Sequence, residues 1–260
     1  MIRPRSILKN SYVQMDGLSR TYEKKIWNAG ILSWEEAAAY LPDLPLTPAK
    51  KTALAAGIAR SEEALDDDDH LYFVRGMPSN EHWRAYPEFA DDAAFVDIET
   101  TGLGRDSRIT VVGVYDGKEA RTFVRGRDLD EVPEVLSQYK MLITYNGACF
   151  DLPFIEQEFP ELSFKETHFH IDLRYPLNRI GFKGGLKLIE KDLGIIRPDE
   201  VAGVDGFEAV RLWNRYRNRK DERALETLLA YNREDIVNLE AIIDKVYAMF
   251  VDECLEKARE

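Results

Sequence analysis

Cysteine is nearly absent. The two residues present in 260, Cys149 and Cys254, supply neither a disulfide framework nor the paired spacing of a zinc site, and both are expected to be reduced. Long apolar runs are missing too. No stretch approaches the roughly 18 uninterrupted apolar residues of a membrane span, and Met1-Ile2-Arg3-Pro4-Arg5 leads into no signal-like segment. The expectation is a cytoplasmic protein with no membrane partner. Nor is there a surplus of positive charge. Lys and Arg number 35 against 47 Asp and Glu, a formal net charge of −12. That excludes nucleic-acid binding through bulk charge, but not an enzyme whose phosphate contacts come from one local surface. Arg211 to Arg223, with six basic residues against two acidic ones, is such a surface or a solvated helix end.

What is present is an ordinary globular composition, 45% hydrophobic and 32% charged, with room for one sizeable core or one core and an appendage. Residues 1–69 read as a helical module. Ser33 followed by Glu36 is a capping-box pattern, and Pro48 suits the first turn of a helix through Leu54, Ile58 and Leu65. Asp66 to Asp69 then form a solvated acidic run. Met15 to Ile26 is similar to a helix-hairpin-helix pattern, with Asp16 where proline is usual and Ser19 where the second glycine is. It is either a small packing module or a DNA contact made through Arg20, Lys24 and Lys25. Residues 70–90, rich in aromatics, follow neither a helical nor a strand period and read as a connecting segment.

From residue 91 to 260 the punctuation is that of an α/β domain. Strands are predicted over 93–99, 108–115 and 120–124, the last two joined by the Asp116-Gly117 turn pair, so the three should be antiparallel neighbours. A helix over 128–138 then leads to a strand over 141–145, which should pair parallel with the first. Helices follow near 151–158, 186–193, 205–219 and 223–258, with a fifth strand near 168–173. A mixed five-stranded sheet with flanking helices is the ribonuclease H-like arrangement.

Three acidic elements punctuate this domain. In Ala93 to Leu103, Asp97 and Glu99 stand two apart on a strand and project to one face. They are either surface carboxylates at a strand end or the start of a site for a hard divalent ion such as Mg²⁺ or Mn²⁺. Asp151, in Tyr145-Asn146-Gly147-Ala148-Cys149-Phe150-Asp151, follows a strand and opens a helix, as a helix cap or a further ligand. Tyr231 and Asp235 share a helix face four residues apart, as a core tyrosine with a surface aspartate or as a third acidic element. Gly184-Gly185-Leu186-Lys187 lacks the spacing of a nucleotide-binding P-loop, and is either a flexible turn or a phosphate contact. His170 and Asp172 alternate on the fifth strand and are candidates to support the site from behind.

Together these elements resemble the three motifs of the DEDD exonuclease superfamily, in its tyrosine-bearing subgroup, which includes the proofreading domains of family B DNA polymerases. Over the whole chain the resemblance is to the YprB-like ribonuclease H-like proteins. It is carried further by Trp83-Arg84, by His170 with Asp172-Leu173, by Gly184 to Lys187 and by the segment ending Gly30 to Trp34. The resemblance implies a two-metal 3′→5′ exonuclease acting on nucleic acid, single-stranded or at 3′ ends, with two Mg²⁺ or Mn²⁺ ions held by Asp97, Glu99, Asp151 and Asp235. Tyr231 would orient the attacking water. The histidine subgroup's base would fall at Ala230, so a histidine base is not implied. Leu103 would press between terminal bases, and Thr100, Asn146, Phe150 and Lys187 complete the implied substrate contacts. The alternatives are a structure-specific endonuclease on the same site and a non-catalytic nucleic-acid- or protein-binding module.

Overall fold

The computed structural model describes residues 6–104 and 106–259. After a short 3-10 turn, Leu8–Asn10, come α1 (Arg20–Asn28), α2 (Trp34–Ala39) and α3 (Pro48–Asp66). The Ser33–Glu36 capping box opens α2, and Thr47 with Pro48 opens α3. The turn before α1 is left-handed at Gly17 (φ +74°), and its carbonyl accepts from the Lys50 ammonium at 2.5 Å. Of the cations expected to contact DNA there, Arg20 instead pairs with Glu81.

The stretch read as irregular is helical: α4 (His70–Gly76), a 3-10 helix (Ser79–Ala85), α5 (Tyr86–Phe89) and a 3-10 turn (Ala90–Asp92). Short pieces of different pitch, interrupted at Pro78 and Pro87, never sustain a 3.6-residue repeat, so no helical period shows in the sequence. Arg84 in this stretch is fully buried. Its guanidinium meets Glu23 at 2.7 and 3.1 Å, Glu81 at 2.8 Å and the Ser11 hydroxyl at 2.8 Å, which ties the stretch to α1.

Five strands follow: β1 (Ala93–Thr100), β2 (Ile109–Tyr115), β3 (Ala120–Val124), β4 (Met141–Thr144) and β5 (Phe169–Asp172). Their order is β3-β2-β1-β4-β5. The first three pair antiparallel, and β4 and β5 join parallel to β1. This is the predicted mixed sheet. The helix α6 (Val132–Leu136) precedes β4, and α7 (Asp151–Glu158) and α8 (Phe164–Thr167) precede β5. Then come α9 (Arg174–Arg179), α10 (Leu186–Asp192), α11 (Asp199–Ala202), α12 (Gly206–Arg219) and α13 (Glu222–Arg259), the last 38 residues long. No helix of the described residues is long and apolar enough to cross a membrane.

Alternation along β1 divides the core. Ala94, Val96 and Ile98 pack with Leu136, Leu152, Ile155 and Phe164 on one face. Ala93 and Phe95 pack on the other, with Ile236, Leu239 and Ile243 of α13 and with Trp27, Trp34 and Trp83 of the N-terminal helices. A third cluster gathers Val111, Leu212, Trp213, Leu228 and Tyr231 where α12 and α13 meet β2. Asp97 and Glu99 continue the odd-numbered face, so β1 aims both at α13.

Candidate metal centre and its cleft

On α13, Tyr231 and Asp235 stand one turn apart on the helix face that meets the sheet. One carboxylate oxygen from each of Asp97, Glu99 and Asp235 lies within 4.8 Å of the others. Glu99 is 8% exposed and Asp235 5%, while Asp97 is half-buried. The Glu99 Oε1 atom is buried with no hydrogen-bond partner. Buried polar atoms are almost always satisfied, so this oxygen is free to accept a cation or a donor.

The approach of helix to strand is set by a neighbour. Gly113 of β2 pairs with Asp97 across the ladder, and a Cβ there would fall on the Asn232 side-chain oxygen. The space admits Asn232, whose Nδ2 donates to Asp97 Oδ2 at 2.9 Å and to the Asp97 carbonyl at 3.3 Å. Asp151, in the first turn of α7, is buried and accepts from the Ile98 N–H at 3.1 Å, which docks α7 against β1. Of the four carboxylates in the motifs, three converge and Asp151 stands beside them.

Burial, and then mutual repulsion, push these acids upward. Asp97 is held well above the usual carboxylate range by burial and by Asp235, Asp151 and Glu99, and Glu99 by burial, Asp235 and Asp151. Burial raises Asp151 to about 7 and Asp235 to about 6, the Arg197 guanidinium restraining the latter. Four crowded acids in this state are what a bound divalent cation would relieve. Burial and the same carboxylates also hold the Tyr231 phenol far above its ordinary value, so it stays protonated. Two cations lie over its ring, the Lys187 ammonium 5.1 Å and the Arg197 guanidinium 5.5 Å from the centroid.

The triad opens into a cleft of about 810 Å³. Phe150, tilted against Phe154 with ring centroids 4.8 Å apart, lines it, and Leu103 and Phe207, 77% and 75% exposed, stand at its edge. Thr100 is buried beneath, its hydroxyl donating to the Gly102 carbonyl at 2.6 Å, and so it shapes the turn that carries Leu103. No histidine lines the cleft among the described residues. Asn146 lines a separate hollow with Arg174, Lys183 and Gly184 instead, is left-handed (φ +67°), and accepts from Arg174. That strained position is held by Asp172, which accepts from the N–H groups of Asn146, Ala148 and Arg174 at 2.7, 3.0 and 3.1 Å. His170 reaches the Thr144 hydroxyl at 2.9 Å. The expected supporting role of these two thus falls on the loop that carries Asp151.

Sequence reasoning overlooked Asn232, although it lies inside the Tyr-Asn-x-Glu-Asp motif, and Gly113, whose role needs the strand register. Phe207 of α12, which also lines the cleft, gave no signal, whereas Arg211, which lines it too, opens the basic stretch singled out in the sequence. Arg197 gave none either, because its partners Glu190 and Asp235 lie 7 and 38 residues away.

The sequence profile of the RNase_H superfamily matches residues 94–247. The chain belongs to the RNase H superfamily. The RNase H match runs from β1 to the middle of α13 and takes in the whole triad, while α1 to α5 precede it. No curated protein matches the chain. Among solved structures, the family B DNA polymerase from the hyperthermophilic archaeon Pyrobaculum calidifontis is similar, with a TM-score of 0.48 and 16% identity. That match covers 64% of this chain and 26% of the polymerase chain, so this protein spans about a quarter of its length.

Proposed function

We propose that this protein is a metal-dependent 3′→5′ exonuclease on single-stranded or frayed nucleic acid. The observation that carries the reading is the convergence of Asp97, Glu99 and Asp235 around a buried, unpartnered Glu99 oxygen at the floor of an open cleft. An all-carboxylate donor set suits Mg²⁺ or Mn²⁺. Asp97, Glu99 and Asp235, with Asp151 beside them, are the residues that would hold the two ions that the resemblance implies. When bound, two such ions stabilise the attacking and leaving oxygens of an in-line displacement at phosphorus.

The remaining work falls to side chains of the chain itself. The protonated Tyr231 hydroxyl is available to donate a hydrogen bond and orient the attacking water. Leu103, Phe207 and Phe150 give apolar surface for unstacked bases, which favours a strand end over an intact duplex. Arg211 reaches the cleft from α12 and Lys187 stands over the Tyr231 ring, both placed to meet phosphate, while Asn146 faces the neighbouring hollow with Arg174 and Lys183. Exonuclease polarity follows the motif resemblance.

The test is release of mononucleotides from a 5′-labelled oligonucleotide in Mn²⁺, run on DNA and RNA of one sequence. The native chain should shorten the label stepwise and leave a circular single strand intact. Asp97→Ala and Asp235→Ala should each lower kcat by about 100-fold or more, in line with loss of a metal site. Activity that survives both substitutions sinks the mechanism, and cutting of the circle makes the enzyme an endonuclease.

A further inference from the structure

Arg197 sits on the loop between α10 and α11 with its side chain 6% exposed. Its Nε and Nη2 atoms both reach the Glu190 carboxylate at 2.6 Å, and Nη2 also donates to Asp235 Oδ1. Glu190 is itself buried and accepts from Asn238 Nδ2 at 2.9 Å, and Asn238 lies one turn beyond Asp235 on α13. Glu190 is not part of the acidic triad. Its contacts serve to aim the guanidinium.

We propose that Arg197 is the positioning residue of the metal centre, fixing the Asp235 carboxylate in the orientation in which it meets Asp97 and Glu99. The inference rests on the nuclease reading above and deepens it. Asp235 faces two like charges, and a free aspartate would turn its carboxylate away from them. A guanidinium fork that is itself anchored on Glu190 holds Asp235 through its Oδ1 atom and so restrains the carboxylate where it meets Asp97 and Glu99. The same guanidinium lies over the Tyr231 ring, so one group holds both of the α13 side chains that face the site. A point charge would not suffice. Lys187 also stands over Tyr231, yet it makes no ion pair with Asp235.

The experiment is Mn²⁺ titration of the full-length protein, followed by electron paramagnetic resonance, for the native chain, Arg197→Met, Arg197→Lys and the charge-balanced pair Arg197→Met with Glu190→Gln. Each variant's fold is checked by far-UV circular dichroism. Arg197→Met should bind Mn²⁺ about 10- to 100-fold more weakly, the usual cost of removing an outer partner of a metal ligand. Arg197→Lys, which keeps the charge but loses the fork, and the charge-balanced pair, which removes the Glu190 charge along with its partner, should stay about as weak. Exonuclease kcat should fall in step while the oligonucleotide KM holds. Native affinity in either the lysine variant or the balanced pair overturns the inference, because Arg197 would then act through charge alone or only neutralise Glu190. Tighter binding in Arg197→Met overturns it too, showing a cation that competes with the metal. If Arg197→Met fails to fold, the balanced pair and the lysine variant still decide. A native chain that binds no Mn²⁺ overturns the nuclease reading together with this inference, whereas native binding with unchanged variants overturns the inference alone.

Discussion

Four acids share one corner of the sheet, and their protonation decides how the protein responds to pH. Burial holds Asp235 near 6 and Asp151 near 7 in the folded chain, against an ordinary 3.8. A folded state with raised pKa values keeps protons that the unfolded chain releases between about pH 4 and 7, so stability is lost as pH rises through that window. In chelator, the melting temperature should therefore fall from pH 5 to pH 7.5. The fall should shrink in Mn²⁺, and in Asp151→Asn, whose side-chain oxygen can still accept from the Ile98 N–H. A pH-independent melting temperature in chelator would contradict this account of the cluster. Away from the site, Arg84 is fully buried among its partners, and Arg84→Met leaves Glu23 buried without its cation and Glu81 with Arg20 and the more distant Arg179. Urea denaturation should show a loss of about 3–5 kcal/mol, the usual result of breaking a buried ion pair from one side. Strand alternation and helical i, i+4 spacing made Asp97, Glu99, Tyr231 and Asp235 legible in the sequence, because local geometry alone fixes where they point. Arg197 was not legible, because a loop arginine declares its partners only after the chain has folded.

Where elements meet, the site depends on a missing side chain. Strand β2 approaches α13 closely only because Gly113 leaves room for Asn232, which in turn holds β1 through Asp97. Gly113→Ala should push Asn232 and the adjoining turn of α13 outward and carry Asp235 away from Asp97. The expected result is loss of Mn²⁺ affinity by about tenfold together with a lower melting temperature, while Gly203→Ala, at an ordinary backbone angle with open space around it, should leave affinity unchanged. The strands and their order were legible from turn pairs, apolar alternation and crossover lengths. Residues 70–92 were not, because alternating α and 3-10 turns carry no single period and their place is set by tertiary contacts such as Trp83 against Tyr247 and Phe250.

Across the whole molecule, α13 joins the metal centre to the N-terminal helices. At 1.5 Å per residue it runs about 57 Å. Its first half carries Tyr231 and Asp235, and its second half buries Val246, Tyr247, Phe250 and Cys254 in the cluster shared with α1, α2 and the 3-10 helix of Ser79–Ala85. A fragment of residues 91–260 would bare that second half to water. Expressed alone, it should aggregate or melt without a cooperative transition, as calorimetry would show. The sequence suggested a boundary near residue 70, but the packing across it depends on which faces of the early helices are apolar, and short helices state that weakly. The four tryptophans are divided unevenly by the same packing. Trp27, Trp34 and Trp83 lie in the shared cluster, and Trp213 lies in the small cluster with Tyr231 beneath the cleft. The chain thus carries two optical channels. Three of the four emitters lie in the N-terminal core, and the difference between native and Trp213→Phe spectra isolates the one beside the cleft, so one fluorimeter can follow ligand arrival at one end of the molecule and unfolding at the other.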